Sequence, residues 1–162
     1  MVTRNNLNTY IVPTAANEVT RPAQPAFLEI AAAQTNITGD GTTYTIIYTT
    51  ETFDQNNDFD GTSTFTAPVT GRYCFDVIIS VQSLNSSHSL LNLDLVATSR
   101  TIRLISINPW AIQYGNGGQL SGRCLVDMSA TDTATVQVAV SNSTKVVDLI
   151  ATETAFAGYL VC

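Results

Sequence analysis

A chain of 162 residues with a formal net charge of -6, in which Lys145 is the only lysine beside six arginines, cannot assemble the basic patch needed to neutralise several phosphates. Nucleic acid and anionic membrane surfaces are thereby excluded as partners, and no apolar run approaches the roughly 20 residues that would insert into a bilayer as a helix. Charged residues make up 12% of the chain, about half of the roughly 25% usual for soluble domains, so part of the surface is expected to be covered by other copies of the chain or by a partner.

Residues 1–24 are polar, carry Pro13 and Pro22 just ahead of Pro25, and hold one short apolar island at Tyr10, Ile11 and Val12. They read as an extended arm, either a disordered tail or a docking arm lying on a neighbouring subunit or a larger structure. The arm has no continuous apolar secretory segment, so the expectation is a signal already removed or release by another route such as lysis. Residues 25–162 form one domain by length and pattern.

Within that domain, residues 26–33 suit a short helix or a first strand, and residues 35–41 are a turn by composition. Tyr44, Ile46 and Tyr48 alternate with Thr45, Ile47 and Thr49 as a strand. A loop follows at residues 53–61, where Glu51, Asp54, Asp58 and Asp60 gather. Asn56, Asp58, Asp60 and Gly61 imitate the opening of an EF-hand loop, but its twelfth position is Ala67, where a bidentate glutamate is required. A solvated turn or β-bulge is therefore preferred to a calcium site.

Residues 62–81 organise the chain. Phe65 and Ala67 alternate with Thr64 and Thr66, and residues 67–71 then break the ladder, because proline lacks an N–H and glycine admits positive φ. Beyond the break, Tyr73, Phe75, Val77, Ile79 and Val81 fall on one face and Cys74, Asp76, Ile78 and Ser80 on the other, which predicts a central strand over a deep core.

Residues 83–89 are a polar loop containing His88, the only histidine. Two strands follow at residues 91–96 and 101–107, and then the longest irregular segment, residues 108–118. There Trp110 and Tyr114 offer a ligand platform, although aromatic side chains capping a β-core are the commoner reason for such residues. Residues 120–128 form a strand with Cys124, Val126 and Met128 on one face, and Ala134, Val136, Val138 and Val140 alternate strictly in the next. Short strands at residues 145–150 and 155–162 close the chain. Eight to ten short strands without a long helical period predict an all-β sandwich.

Three cysteines, Cys74, Cys124 and Cys162, cannot all pair internally, and they read as buried free thiols rather than a disulfide framework. No cofactor is expected. A single histidine, no GxSxG, no phosphate loop and no metal-ligand spacing leave little catalytic chemistry, and Asp58 with Asp60 read as surface acids rather than glycosidase carboxylates. The chain is expected not to be an enzyme.

The order of these signals resembles the complement globular-head (C1q-like) relatives of the tumour-necrosis-factor jelly roll. The matching residues are Phe53 and Phe59 before Gly61, the block Phe65-Thr66-Ala67-Pro68-Val69-Thr70-Gly71-Arg72-Tyr73-Cys74-Phe75, Leu120-Ser121-Gly122 with Leu125-Val126, Val136-Gln137-Val138, and Phe156-Ala157-Gly158-Tyr159-Leu160. One departure is Thr131-Asp132, where the family favours Gly-Asp in the turn. The resemblance implies a ten-stranded, two-sheet antiparallel jelly-roll sandwich assembling as a homotrimer, with Phe65, Tyr73, Phe75, Phe156 and Tyr159 as core or trimer residues.

The Thr/Asn-rich, Lys-poor composition is similar to versions of this fold found in bacteriophage virions. Those serve as capsid decoration, head-fibre or tail-fibre tip proteins. The functional expectation is a virion structural protein anchored to other virion proteins through residues 1–24. The alternative is an extracellular or tail-fibre module that recognises a cell-surface glycan or protein through Trp110 and Tyr114 or through the acidic loop.

Overall fold

The computed structural model describes residues 24–111 and 114–162. The segment read as an arm lies outside them, apart from its last residue. Twelve strands are present among the described residues: β1 (Ala26–Ala31), β2 (Gln34–Thr38), β3 (Thr43–Thr45), β4 (Tyr48–Asp54), β5 (Phe65–Thr66), β6 (Gly71–Gln82), β7 (Leu90–Ala97), β8 (Arg100–Ile107), β9 (Gly118–Met128), β10 (Thr133–Ser141), β11 (Val147–Leu149) and β12 (Ala155–Leu160). Pairs β1/β2 and β11/β12 are each one strand interrupted by a short break, which reduces the twelve to the ten of a jelly roll.

Every pairing is antiparallel. In the first sheet β6 is central, pairing with β9 on one side and with β12 and β11 on the other, with β1, β2 and β4 beyond. The second sheet places β10 between β7 and the short pieces β3 and β5, with β8 at its edge. The alternation read for residues 73–81 holds: Tyr73, Phe75, Val77, Ile79 and Val81 are all buried between the sheets.

Aromatic rings fill one half of that core. Phe27 stacks on Phe65 at 4.9 Å and meets Phe156 edge-on at 5.0 Å, while Phe65 and Phe75 lie 5.6 Å apart. Gly158 is required here, because a Cβ would come within 2.6 Å of Phe27 and 2.7 Å of Phe75. The Pro68–Gly71 break becomes a corner held by the Tyr73 hydroxyl, which donates to the Val69 carbonyl at 2.7 Å.

Residues 26–33 resolve as strand rather than helix. Three other readings need correction. The turn assigned to residues 35–41 contains β2, whose polar sequence is drawn into the sheet by pairing with β11, and the turn itself is confined to residues 39–42. Tyr44, Ile46 and Tyr48 do not share one strand. The chain changes sheets between β3, paired with β10, and β4, paired with β1, and the Ile46 N–H bonds the Val136 carbonyl at the crossing. Finally, β4 continues through Asp54 into the segment read as loop.

Both ends of the described domain meet at one end of the sandwich. Ala26 pairs with Tyr159, and the Arg72 N–H bonds the Cys162 carbonyl at 2.8 Å. The 12 residues of β6 then run about 40 Å towards the opposite end, where residues 83–89, 108–111, 114–117, 142–146 and 150–154 gather.

Candidate functional site

The outward residues of the two sheets carry different chemistry. On the second sheet they are mostly polar: Thr135, Gln137, Ala139 and Ser141 on β10 lie beside Val96, Asp94, Asn92 and Leu90 on β7, and Asp94 is paired with Arg103 of β8. On the first sheet, pairing sets Tyr159, Cys74 and Leu125 in one row across β12, β6 and β9, and Ala155 and Ile78 in another. Leu125 is 55% exposed, Tyr159 45% and Ile78 40%, and Phe53 joins the face opposite Leu28.

Between the apolar rows the Arg123 guanidinium grips Asp76 with both nitrogens, one contact at 3.0 Å, and towards the domain ends Arg72 grips Asp127 at 2.8 Å. Asp127 is held below the usual carboxylate range, chiefly by its hydrogen bond from Arg72. An apolar face divided by matched ion pairs can bury area while fixing the register of whatever covers it.

The five residues nominated as core or trimer candidates separate on this basis. Phe65, Tyr73, Phe75 and Phe156 are core, whereas Tyr159 stands on the outer face. Cys74 points outward as read, yet is only 3% exposed, because it sits in the row between Tyr159 and Leu125. Cys124 faces inward, and burial pushes its thiol up to about 11. Opposite faces of neighbouring strands keep these two sulfurs from pairing. Cys162 is exposed, not buried as expected.

The acidic loop does not form a metal cage. A single Asp60 oxygen accepts from the N–H groups of Thr62, Ser63 and Thr64 and from the Thr62 hydroxyl, at 2.8 to 3.0 Å. Burial raises this carboxyl, but those donors outweigh it and hold it at about 2. Asp58 moves the other way, raised by burial, and Asp54 accepts from the Phe59 N–H at 2.8 Å. The loop is thus an Asx-type turn folding itself, and no cluster of three metal-ligating side chains occurs among the described residues.

At the opposite end, Trp110 lies on a single 3-10 turn, Pro109–Ala111, whose Trp110 N–H bonds Asn108 Oδ1 at 3.0 Å. Tyr114 opens a tight hairpin closed by its N–H to the Gly117 carbonyl at 2.9 Å. Trp110 is 41% and Tyr114 96% exposed, and neither ring stacks on another aromatic ring among the described residues. At that exposure Tyr114 does not cap the core.

The burial of two polar residues, His88 and Glu29, escaped the sequence reading. His88 is fully buried, and its Nδ1 accepts the Asn85 N–H at 3.0 Å, so Nε2 carries the proton and donates to the Thr144 carbonyl at 3.3 Å. It clamps two loops and is closed to substrate. Glu29 is 2% exposed, and burial followed by the charges of Glu51 and Asp54 raises its carboxyl to about 7. The phase of Phe27, Glu29 and Ala31 in β1 was the available signal for it.

A family model described as the C1q domain matches residues 26–161. Among solved structures, the globular domain of the zebrafish complement 1qA protein is similar at 19% identity and TM-score 0.60, covering 86% of this chain and 98% of that one. Two structures of murine APRIL, at pH 8.5 and pH 8.0, are similar at 8% identity with TM-scores of 0.58 and 0.60, each covering 85% of this chain and 99% of that one. No curated protein sequence matches. The identities are low enough that these structures speak for the fold alone, but the family model spans nearly the whole described domain, with its corner at residues 67–71 and its central β6: this chain belongs to the C1q domain family.

Proposed function

We infer that the chain is a non-catalytic homotrimeric head whose subunits pack through the outer face of β12, β6 and β9. The observation that carries this reading is that Tyr159, Ile78 and Leu125 on that face are all more than a third exposed, whereas Leu90 is the one large apolar side chain so exposed on the outer face of β10 and β7. Leaving such side chains in water forgoes roughly 25 cal/mol per Å² of apolar area. C1q-type domains form homotrimers and are in general binding modules rather than enzymes, which supports the same reading.

Residues 1–24 are the anchor of this head. The domain begins at the end where Ala26 pairs with Tyr159, so a segment preceding it reaches a support on that side, away from the Tyr114 hairpin. The support is a virion, the chain serving as a capsid decoration protein or head-fibre knob, a reading that rests on the Lys-poor, Thr/Asn-rich composition and the polar, proline-bearing arm. A second reading, a receptor- or glycan-binding tip acting in an extracellular setting, is favoured by the exposure of Tyr114.

The test is solution mass by light scattering, for the full chain and for one lacking residues 1–24, with binding of both to purified capsids and to whole cells. A trimer that keeps its mass but loses capsid attachment without the arm supports the anchored virion protein. A trimer that binds cells equally well without the arm supports the recognition tip, and a monomer sinks the homotrimer.

A further inference from the structure

At the end of the sandwich away from Ala26, the outer face of the first sheet turns from apolar to polar. There a shallow groove of about 280 Å³ opens between β6, β9, the Tyr114 hairpin and the 150–154 loop. Its volume lies near the lower limit for small-ligand sites. Tyr114 forms one wall, and the polar lining comes from Ser80, Gln82, Asn116, Gln119 and Glu153.

We propose that this groove binds a neutral saccharide, with the Tyr114 ring as stacking platform and the amides of Gln82, Asn116 and Gln119 as hydroxyl readers. It rests on the reading of the chain as a head that presents this end, and it deepens that reading by naming the ligand class.

The platform is held in place although its ring is free. Beyond the Tyr114–Gly117 bridge, the Asn116 carbonyl accepts the Leu84 N–H at 2.8 Å, tying the hairpin to the end of β6. Gly117 lies so close to that strand that a Cβ would come within 2.6 Å of the Val81 carbonyl oxygen. A backbone tied by these contacts therefore carries a ring that is 96% exposed, so that only the ring's own torsions remain to be ordered when a ligand covers it.

The polar groups are equally available. The side-chain amides of Gln82, Asn116 and Gln119 make no hydrogen bond within the described chain, so each keeps a donor and an acceptor side by side. That pairing suits vicinal hydroxyls, which also donate and accept. Glu153 is oriented by the Ser80 hydroxyl at 2.8 Å and adds a charged acceptor.

The same lining selects against other ligands. It contains no lysine or arginine, and its one charge is the Glu153 carboxylate, so phosphate, sulfated sugars and acidic sugars meet repulsion without a compensating cation. Apolar peptides would strand three amides without partners.

The experiment applies the full-length protein to an array of neutral oligosaccharides beside sulfated and sialylated ones, followed by titration of the best ligand. Wild type is expected to bind neutral members only, Tyr114→Ala to weaken binding at least tenfold, and Gln119→Ala at least threefold, with unchanged melting temperatures. Binding to no sugar, binding to anionic sugars only, or undiminished binding by Tyr114→Ala would each overturn the proposal. Leu125→Asp, made to disrupt assembly, should keep the affinity of a single groove and lose only the gain from multivalency. A wild-type trimer that binds no sugar thus rejects the groove and leaves the trimeric head standing, whereas a monomer that still binds rejects the trimer and leaves the groove.

Discussion

On β10 and β7 the outward positions hold Thr133, Thr135, Gln137, Asp94 and Asn92 with Leu90, Val96 and Ala139 among them, while on β12, β6 and β9 the same alternation places Tyr159, Cys74, Ile78 and Leu125 outward around the ion pairs of Arg123 with Asp76 and Arg72 with Asp127. The inward positions of the two central strands are alike apolar, Leu91, Leu93 and Leu95 on β7 and Phe75, Val77 and Ile79 on β6. The inner halves make a sandwich, and any sandwich needs them. Only the outer halves differ, so the information about partners resides there. One face is suited to water, and the other is the face proposed above to be covered by further copies of the chain.

The strongest way to break the contrast is to charge the apolar face. Leu125→Asp, at a position already 55% exposed, should leave the fold intact and convert a trimer to monomers, a threefold fall in mass by light scattering. Thr135→Asp, the matched change on the polar face, should leave the mass unchanged. Equal effects from both would show that the two faces do not differ in role. Phe75→Ala strikes what the sheets share, because that ring touches Phe65, Phe156 and Tyr73. It should cost about 3 to 5 kcal/mol by chemical denaturation. A loss below about 1 kcal/mol would contradict its place in the core.

The contrast was half legible in the sequence. The period of two in residues 73–81, 91–96 and 134–140 separates inner from outer positions, and the corner at residues 67–71 announces itself through proline and glycine. What could not be read is register: Tyr159, Cys74 and Leu125 become one row only when strands far apart in sequence are aligned. For the same reason Gln34–Thr38 looked like a turn, its strand character coming from β11 rather than from its residues. The sheet change near Ile46 was hidden because the alternation stays in phase across it. Trp110 and Tyr114 were visible as aromatic loop residues, but the amides that make a groove beside Tyr114 come from β6, β9 and the hairpin itself.

A smaller effect tests the core under the first sheet. Glu29 is raised to about 7 in the folded chain, whereas unfolded it titrates near the ordinary 4.5. Below about pH 4.5 both states hold the proton and nothing is lost. As pH rises from about 4.5 to 7 the unfolded state releases its proton first, so folding stability falls, and above 7 the loss is constant. The full shift would correspond to roughly 3 kcal/mol, but the group lies beside the exposed Glu51 on the edge strand, and about 2 kcal/mol is expected. Glu29→Gln should flatten this part of the pH profile and raise stability at pH 8. An unchanged profile would mean that Glu29 titrates like an exposed carboxylate.

The smallest effect concerns the turn that carries the chain from the apolar-faced sheet to the polar-faced one. Thr131, between β9 and β10, adopts φ 74°, a left-handed conformation that a β-branched residue enters at a cost of about 1 to 2 kcal/mol. The turn imposes it: the Thr131 N–H bonds the Ala67 carbonyl at 2.8 Å, the Ala67 N–H bonds the Asp132 carbonyl at 2.8 Å, and Asp132 Oδ2 accepts the Ser129 N–H at 2.8 Å. Its side chain is exposed, so little packing is at stake. Thr131→Gly removes the strain and gives back roughly 0.5 to 1 kcal/mol through the greater freedom of the unfolded chain. The net expectation is a gain of about 0.5 to 1 kcal/mol, or about 2 °C in Tm for a chain of this size. A destabilised glycine variant would show that the hydroxyl or methyl of Thr131 holds the corner between the sheets, and that the family's preference for glycine in this turn has been replaced by a contact rather than merely tolerated.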